Sequence, residues 1–388
     1  MEKIKILLLG LGNINNAGDE ILIETTEWLV KKSGGVKIIR KQLMPAYKEI
    51  IKDYKTCILA LPLKYLSRAF HGNIKYRMTN IMYKIKYKRY FRDCIKKADK
   101  IVLPVGMLKY TTQDLSYLFE MINGLATRYN KPVLMSAMSI AKPDKHDWRY
   151  NQLVKAVNLP CVKSITTRDG KEGLTRLRKY YTKENIHTDY VGDPALWIPE
   201  CYQTERSVVR QSNIIGINVI RKGIYSAYSD KPFSDSQMIN LYKEIITELE
   251  RRGHQWILFC NGMQEDYEVA LQLIDELGLP SEKLLPAPNS GKELVEMISS
   301  FKAVFGARLH ACITAVSLGV PVSGLLWDDK LECFSRTMKI RQFFSDVEEL
   351  KGNLVVDKLE AAINHEFDFW NLDSYKTRTS GSIKDFIS

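Results

Sequence analysis

Short apolar runs recur along the chain, separated by longer stretches whose apolar positions repeat with helical spacing. In the first half the runs fall at residues 4–10, 36–39, 57–61, 100–105, 132–137 and 164–167, and each reads as a buried strand. A turn-rich segment, 12–18, and a helical one, 19–32, follow the first run. The second half repeats the arrangement, with strands predicted at 214–220, 256–260, 302–305 and 321–326 and helices at 234–252, 264–277, 292–300 and 309–318. Strands alternating with helices are the mark of a parallel sheet covered on its faces.

A chain of 388 residues that is 45% hydrophobic has material for two such units. The polar stretch 200–213 lacks periodicity and is the predicted linker, dividing the chain into domains at 1–200 and 201–373. Residues 374–388 read as a polar tail. Two α/β domains joined in this way place a ligand cleft between them, at the carboxyl ends of the strands, so functional residues are expected directly after strands.

Charge adds one local feature. The chain carries a formal +12, and between Lys64 and Lys100 twelve basic residues face two acidic ones, a local +10. Aromatic residues such as Tyr83, Tyr87, Tyr90 and Phe91 are interleaved, which suits an amphipathic helix. Such a stretch attracts an anionic membrane surface, a phosphorylated substrate or nucleic acid, or is a solvated face with no partner. No zinc-finger spacing or RNA-recognition signature accompanies it, so nucleic acid is not an expected partner.

The seven cysteines are scattered without a Cys-x-x-Cys pair, which points to a reducing cytoplasm and to inert buried thiols rather than structural zinc. No apolar run approaches the roughly 20 residues of a membrane span. The N-terminal residues lead straight into the first strand with no small-residue cleavage site. A cytoplasmic protein is the expectation, with residues 64–100 one candidate for peripheral contact with the inner membrane face.

Two segments carry candidate chemistry. The first, Gly10 to Glu20, follows the first strand and opens the first helix; its glycines permit close backbone approach and Asp19 can cap the helix. It matches neither the dinucleotide fingerprint nor the phosphate-cradling Walker loop, and a tight turn with a cap explains it equally well. The second, Phe305-Gly306-Ala307-Arg308-Leu309-His310, runs from a strand into a helix that ends at Gly319 before Pro321. Arg308 and His310 then stand at a helix entrance that favours anions. There Arg308 can grip a phosphate or carboxylate through two parallel hydrogen bonds, and His310 can exchange a proton near neutral pH. The alternative is an interface ion pair for Arg308 and a structural role for His310.

Asn16-Ala17-Gly18-Asp19-Glu20, Thr167-Arg168-Asp169, Val191-Gly192-Asp193-Pro194-Ala195-Leu196 and Gly306-x-Arg308-x-His310 through Gly319-Val320-Pro321 occur in that order. This ordered set resembles the polysaccharide pyruvyl transferase family over roughly residues 8–335. The resemblance implies an α/β fold of two Rossmann-like domains in a glycosyltransferase B-like architecture. It also implies phosphoenolpyruvate as substrate, with no cofactor and no metal, and transfer of its pyruvyl group to a polysaccharide or its lipid-linked precursor as a ketal. Arg308, Arg221 and Lys330 are the implied donor contacts, His310 and Asp19 the implied catalytic pair, and Asn13, Gly18 and Arg168 the implied acceptor contacts. The chain departs from the family pattern at Pro104-Val105-Gly106-Met107, where a glycine triplet is frequent, and at Trp327-Asp328-Asp329-Lys330, where a tyrosine is usual. The competing readings are a nucleotide-sugar glycosyltransferase, which would hold a diphosphate at the same helix entrance, and a non-catalytic membrane- or nucleic-acid-binding protein built on the basic stretch.

Overall fold

A computed structural model describes residues 3–12, 16–44, 72–110, 115–206, 212–229 and 231–388. The expected strand at 57–61, residue Asn13 and the start of the basic stretch at 64–71 lie outside them.

The first unit runs β1 (Ile4–Gly10), α1 (Ala17–Lys32), β2 (Val36–Gln42), α2 (Gly72–Lys96), β3 (Lys100–Leu103), β4 (Met107–Leu108) and α3 (Ser116–Arg128). It continues through β5 (Val133–Ile140), α4 (Trp148–Val157), β6 (Val162–Thr167), α5 (Gly170–Leu177), β7 (His187–Tyr190) and α6 (Ile198–Tyr202). All its strand pairings are parallel, in the order β2-β1-β3-β5-β6-β7 with β4 beside β5. Leu7, Leu8 and Leu9 are all fully buried, so β1 is covered on both faces, as a parallel strand must be.

The second unit runs β8 (Ile214–Asn218), α7 (Ile224–Tyr228), α8 (Asp235–Arg251), β9 (Gln255–Phe259), α9 (Gln264–Glu276) and α10 (Gly291–Ser299). Then come β10 (Ala303–Gly306), α11 (Leu309–Ser317), β11 (Val322–Leu325), α12 (Asp329–Thr337), β12 (Phe344–Ser345), α13 (Gly352–Ile363) and α14 (Phe369–Ile387). Its five parallel strands are ordered β12-β11-β10-β8-β9. Local chemistry sets the boundaries: Ser234 and Gln237 form a reciprocal capping box at the start of α8.

In both sheets the chain moves one way from the first strand to the second and the other way to the third. The order therefore reverses between β1 and β3, and again between β8 and β10. Crevices open at such reversals, beyond the carboxyl ends of the strands. Helix α1 brings the two together, because its Ala17 and Ile21 pack into the core of the second unit beside Leu196, Ile217 and Ala311.

Two expectations change. Residues 374–388 are not a polar tail but most of α14, which crosses back to the first unit and buries Ile383 and Ile387 against Ile6, Leu8 and Val30. Lys100 donates to the carbonyls of Phe386 and Ile387, both at 2.8 Å, capping the helix end. The buried stripe also contains Lys376, Thr379 and Ser382, so its composition hides it. In α2 the aromatics turn inward: Tyr87 and Phe91 are buried, and Tyr83 stacks on Tyr87 and Tyr117. Among the described side chains of that helix, Ile74 and Ile81 are the exposed large apolar ones.

Ile383→Ala should lower the free energy of unfolding by about 2–5 kcal/mol, the cost of truncating a buried isoleucine. Denaturant titration measures it, and an unchanged midpoint would mean that residues 374–388 are a loose tail after all.

Candidate active site

Asn218, the last residue of β8, is fully buried. Its Oδ1 accepts from the amides of Ala307 at 3.3 Å and Arg308 at 2.9 Å, and its Nδ2 donates to Oδ1 of Asn261 at 3.1 Å. One amide side chain thus ties together the chain ends emerging from β8, β9 and β10. The carbonyl of Asn261 accepts from the amide of Ala17 at 2.9 Å, which extends the tie to the start of α1 in the other unit.

Asn16 is the residue that caps α1, accepting from Gly18 N at 3.2 Å. Asp19 is therefore not the cap: it lies inside the first turn and accepts from Asn16 Nδ2 at 3.0 Å. Gly18 is where α1 meets the other unit, since a Cβ built there would lie 2.5 Å from the Cβ of His310. Only a residue without a side chain permits this approach.

Asp266, in the first turn of α9, is fully buried. It accepts from Arg308 Nε at 2.8 Å, from Arg308 Nη2, and from the amide of Arg221 at 2.9 Å. The Arg308 fork expected to grip an anion is thus already held by a carboxylate, leaving Nη1 for any ligand. Arg221 is different. It forms no ion pair among the described residues, and its Nε is buried without a hydrogen-bond partner.

His310 is a buried side chain, not the exposed helix-entrance group expected, and its Nε2 also lacks a hydrogen-bond partner among the described residues. Burial, aided by the nearby charges of Arg168 and Lys330, pulls it down to about 4, so at neutral pH it is a neutral imidazole. Burial acts oppositely on Asp19, pushing it up to about 6 against the pull of Lys330 and Arg168. Lys330 is brought down to about 8, again chiefly by burial, with Asp328 opposing.

Arg168, implied as an acceptor contact, is buried and engaged at all three nitrogens. Nε donates to Ser139 Oγ at 3.2 Å, Nη1 to Asp193, and Nη2 to the carbonyl of Gly106 at 2.8 Å. Gly106 sits at φ +70°, and a Cβ there would meet Leu22 at 2.9 Å. Arg168 therefore braces the single glycine that this chain has where the family frequently carries three.

Asp19, Arg168, Arg221, Arg308, His310 and Lys330 all line one cavity of about 120 Å³, with Gly18 against its His310 wall. It lies where the two strand-order reversals face each other, and four cationic side chains against two acidic ones line it. A wider cleft of about 650 Å³ adjoins it and shares Tyr228, Trp327, Asp328 and Lys330 as a wall. Sequence reasoning missed Asn218, Asn261 and Asp266. The first two are polar residues closing apolar strand segments, a signal that the strand-end rule already contained. Among the described residues no group of three or more His, Cys, Asp or Glu is placed to hold a metal ion.

Two parallel-sheet units whose strand ends enclose a positively charged cavity define an α/β enzyme of the glycosyltransferase B-like class. Solved structures agree on the fold. The UDP-GlcNAc 2-epimerase of Methanocaldococcus jannaschii is similar over 94% of this chain and 94% of its own, with a TM-score of 0.55 and 12% identity. That of Neisseria meningitidis, bound to UDP-GlcNAc, is similar over 97% and 99%, with a TM-score of 0.55 and 10% identity. No curated protein is similar in sequence at a significant level. The family model described as polysaccharide pyruvyl transferase matches residues 16–329, and the chain belongs to that family.

Two outcomes follow from this geometry. Gly18→Ala should destabilise the fold by about 1–3 kcal/mol, as overpacking does, and should displace His310. Gly124→Ala, on α3 with nothing within 4 Å of the added methyl, should leave stability unchanged or slightly raised. Equal thermal midpoints for the two variants would contradict the close approach.

The second concerns pH. Asp19 at about 6, against 3.8 when unfolded, keeps a proton in the folded chain that the unfolded chain releases between those values. Folding is therefore penalised as pH rises through that window, with the full penalty above about 6. Asp19→Asn should be more stable than the wild type at neutral pH and lose that advantage below about pH 3.8. His310 works in the other sense: as pH falls from 6.5 to about 4 the unfolded chain takes the proton first, so stability declines with acidification, and His310→Gln should flatten that decline. Thermal midpoints across pH read both.

Proposed function

We propose that the protein transfers the pyruvyl group of phosphoenolpyruvate to two hydroxyls of a glycan, forming a ketal and releasing phosphate. The observation that carries this reading is the pairing pattern in the small cavity. Two groups suited to a phosphorylated enol, Arg221 Nε and His310 Nε2, are buried without hydrogen-bond partners among the described residues, in a cavity lined by four cationic side chains. The donor phosphate sits against Arg221, Arg308 Nη1 and the free amides in the first turn of α11. No cofactor takes part.

In the first step a proton adds to the methylene carbon of the enol, turning C3 into a methyl group and C2 into a cation-like centre. A sugar hydroxyl then attacks C2 and gives up its proton. A second hydroxyl attacks as the C2–O bond to phosphate breaks; of the two hydroxyl protons, one replaces that taken up by C3 and one leaves with phosphate. His310 delivers the first proton in this reading. It rests neutral, and a phosphate dianion beside Nε2 raises its proton affinity, so the donor charges its own acid; such a role typically contributes about 10²- to 10⁴-fold. Asp19, nearer neutrality than an ordinary carboxyl, accepts a hydroxyl proton, and Lys330 neutralises charge on the bound donor.

The acceptor is a polysaccharide or its lipid-linked precursor, and α2 brings the enzyme to the anionic membrane surface where such precursors are held. What supports this is a helix that exposes Ile74 and Ile81 together with Arg77, Lys88, Arg89 and Lys96, with Lys97 exposed in the turn that follows it. Each basic side chain near such a surface contributes about 1 kcal/mol. No helix among the described residues is long and apolar enough to cross a membrane.

Phosphoenolpyruvate at about one hundred times its Kd should stabilise the protein by about 2.7 kcal/mol and raise the thermal midpoint, while UDP-GlcNAc should not. Arg221→Ala should lose the shift; a shift with the nucleotide sugar alone would reassign the donor. For the membrane, co-sedimentation with anionic vesicles at low salt should disappear at high salt, with neutral vesicles, and in a protein carrying Lys88→Gln, Lys96→Gln and Lys97→Gln. Equal recovery in all conditions would remove the membrane role.

A further inference from the structure

The wider cleft differs from the small cavity in its charge. Its lining holds seven cationic and seven acidic side chains. Each of the seven cations is ion-paired, including Lys109 to Asp328 at 3.3 Å, Lys142 to Asp329 at 3.5 Å, Lys231 to Asp346 at 3.2 Å and Arg341 to Glu332 at 2.7 Å. Asp144, by contrast, has no cationic partner among the described residues, its Oδ1 accepting only from the amide of His146 at 2.9 Å. An anionic ligand here would have to compete with the carboxylates already paired to these cations and would face an unpaired one. An uncharged polar ligand does neither, and finds many hydrogen-bond donors and acceptors.

The wall shared with the small cavity offers an apolar surface as well. Tyr228 and Trp327 meet with ring centroids 5.6 Å apart at 73°, and Trp327 is fixed by its Nε1 donating to the carbonyl of Ala307 at 2.6 Å. Tyr228 is half-buried, with Lys109 Nζ 5.0 Å from its ring centre. A half-buried aromatic ring with charged planar groups around it suits a pyranose, whose C–H face is apolar and whose rim is hydroxylated.

We propose that this cleft is the acceptor subsite and that it selects an uncharged glycan end, discriminating against sugars that already carry a carboxylate. The proposal rests on the pyruvyl-transfer reading of the adjoining cavity. It has a functional consequence: the ketal product bears a carboxylate on the very sugar that occupied the cleft, so the product is the less favoured occupant and leaves without being modified again.

Saturation-transfer NMR on the full chain tests this with cellobiose and lactose as neutral probes and with the same disaccharides oxidised to the uronic acid at C6 of the terminal sugar. The neutral probes should receive saturation, and the oxidised ones should bind about three- to tenfold more weakly, the scale of one or two exposed charge interactions. Asp329→Asn, which frees Lys142 from its partner, should close most of that gap by strengthening the oxidised probes alone. Tyr228→Ala should reduce transfer from the neutral probes. The proposal is overturned if no neutral probe receives saturation, if oxidised probes bind as tightly as neutral ones in the wild type, or if Tyr228→Ala changes nothing. Thermal protection by phosphoenolpyruvate, read on the same samples, separates the two ideas. Protection lost with sugar binding retained defeats the donor reading, and the reverse defeats the acceptor subsite.

Discussion

A guanidinium withdrawn from water needs its hydrogen bonds met by the protein. At the junction of the two units the buried carboxylate of Asp266 does this for Arg308, while no described residue does it for Arg221. The difference governs the site. Asp266 also holds the Arg221 backbone, so the same carboxylate that occupies one arginine positions the other as the open cation. His310, buried, and Asp19, half-buried, are both moved toward uncharged forms, and they line the same space as the unpaired Arg221.

Such a space disfavours the folded state, and the surrounding packing has to offset it. Helix α1 does much of this. Its buried face lies in the core of the second unit, its first amide bonds to Asn261, and Gly291 N donates to Glu20 at 2.9 Å. Gly18 is the point at which that docking is closest, which couples the position of His310 to the seating of α1. Helix α14 adds a second connection by returning from the second unit to cover β1. A cleft between two units that merely touched could not hold charges so far from water.

The two adjoining spaces divide the reaction by charge. The small cavity has an excess of cations, as a phosphorylated donor requires, and the wide cleft has its cations paired, as an uncharged acceptor prefers. Trp327, Tyr228, Asp328 and Lys330 stand on the boundary, where the donor carbon and the acceptor hydroxyls have to meet. The residue that replaces the family's usual tyrosine, Trp327, is used here to brace that boundary through its bond to Ala307.

The sequence by itself determined the α/β alternation, the location of most strands, and the rule that chemistry follows strand ends, because these depend on local periodicity and on glycine and proline punctuation. With the family resemblance it was enough to select Asp19, Arg168, Arg221, Arg308, His310 and Lys330, which span positions 19 to 330 of the chain and line one cavity. Tertiary structure alone decided what each of them is doing there. The Asp266 that occupies Arg308 sits 42 residues away in what reads as an ordinary acidic helix start. The protonation of His310 and Asp19 follows from burial, which no local pattern states. The docking of α14 depends on a stripe of Ile383 and Ile387 diluted by Ser, Thr and Lys, visible as apolar only once Ile6 and Leu8 are opposite it. Periodicity is a property of neighbours in sequence, whereas desolvation and pairing are properties of neighbours in space, and that is the physical reason for the division.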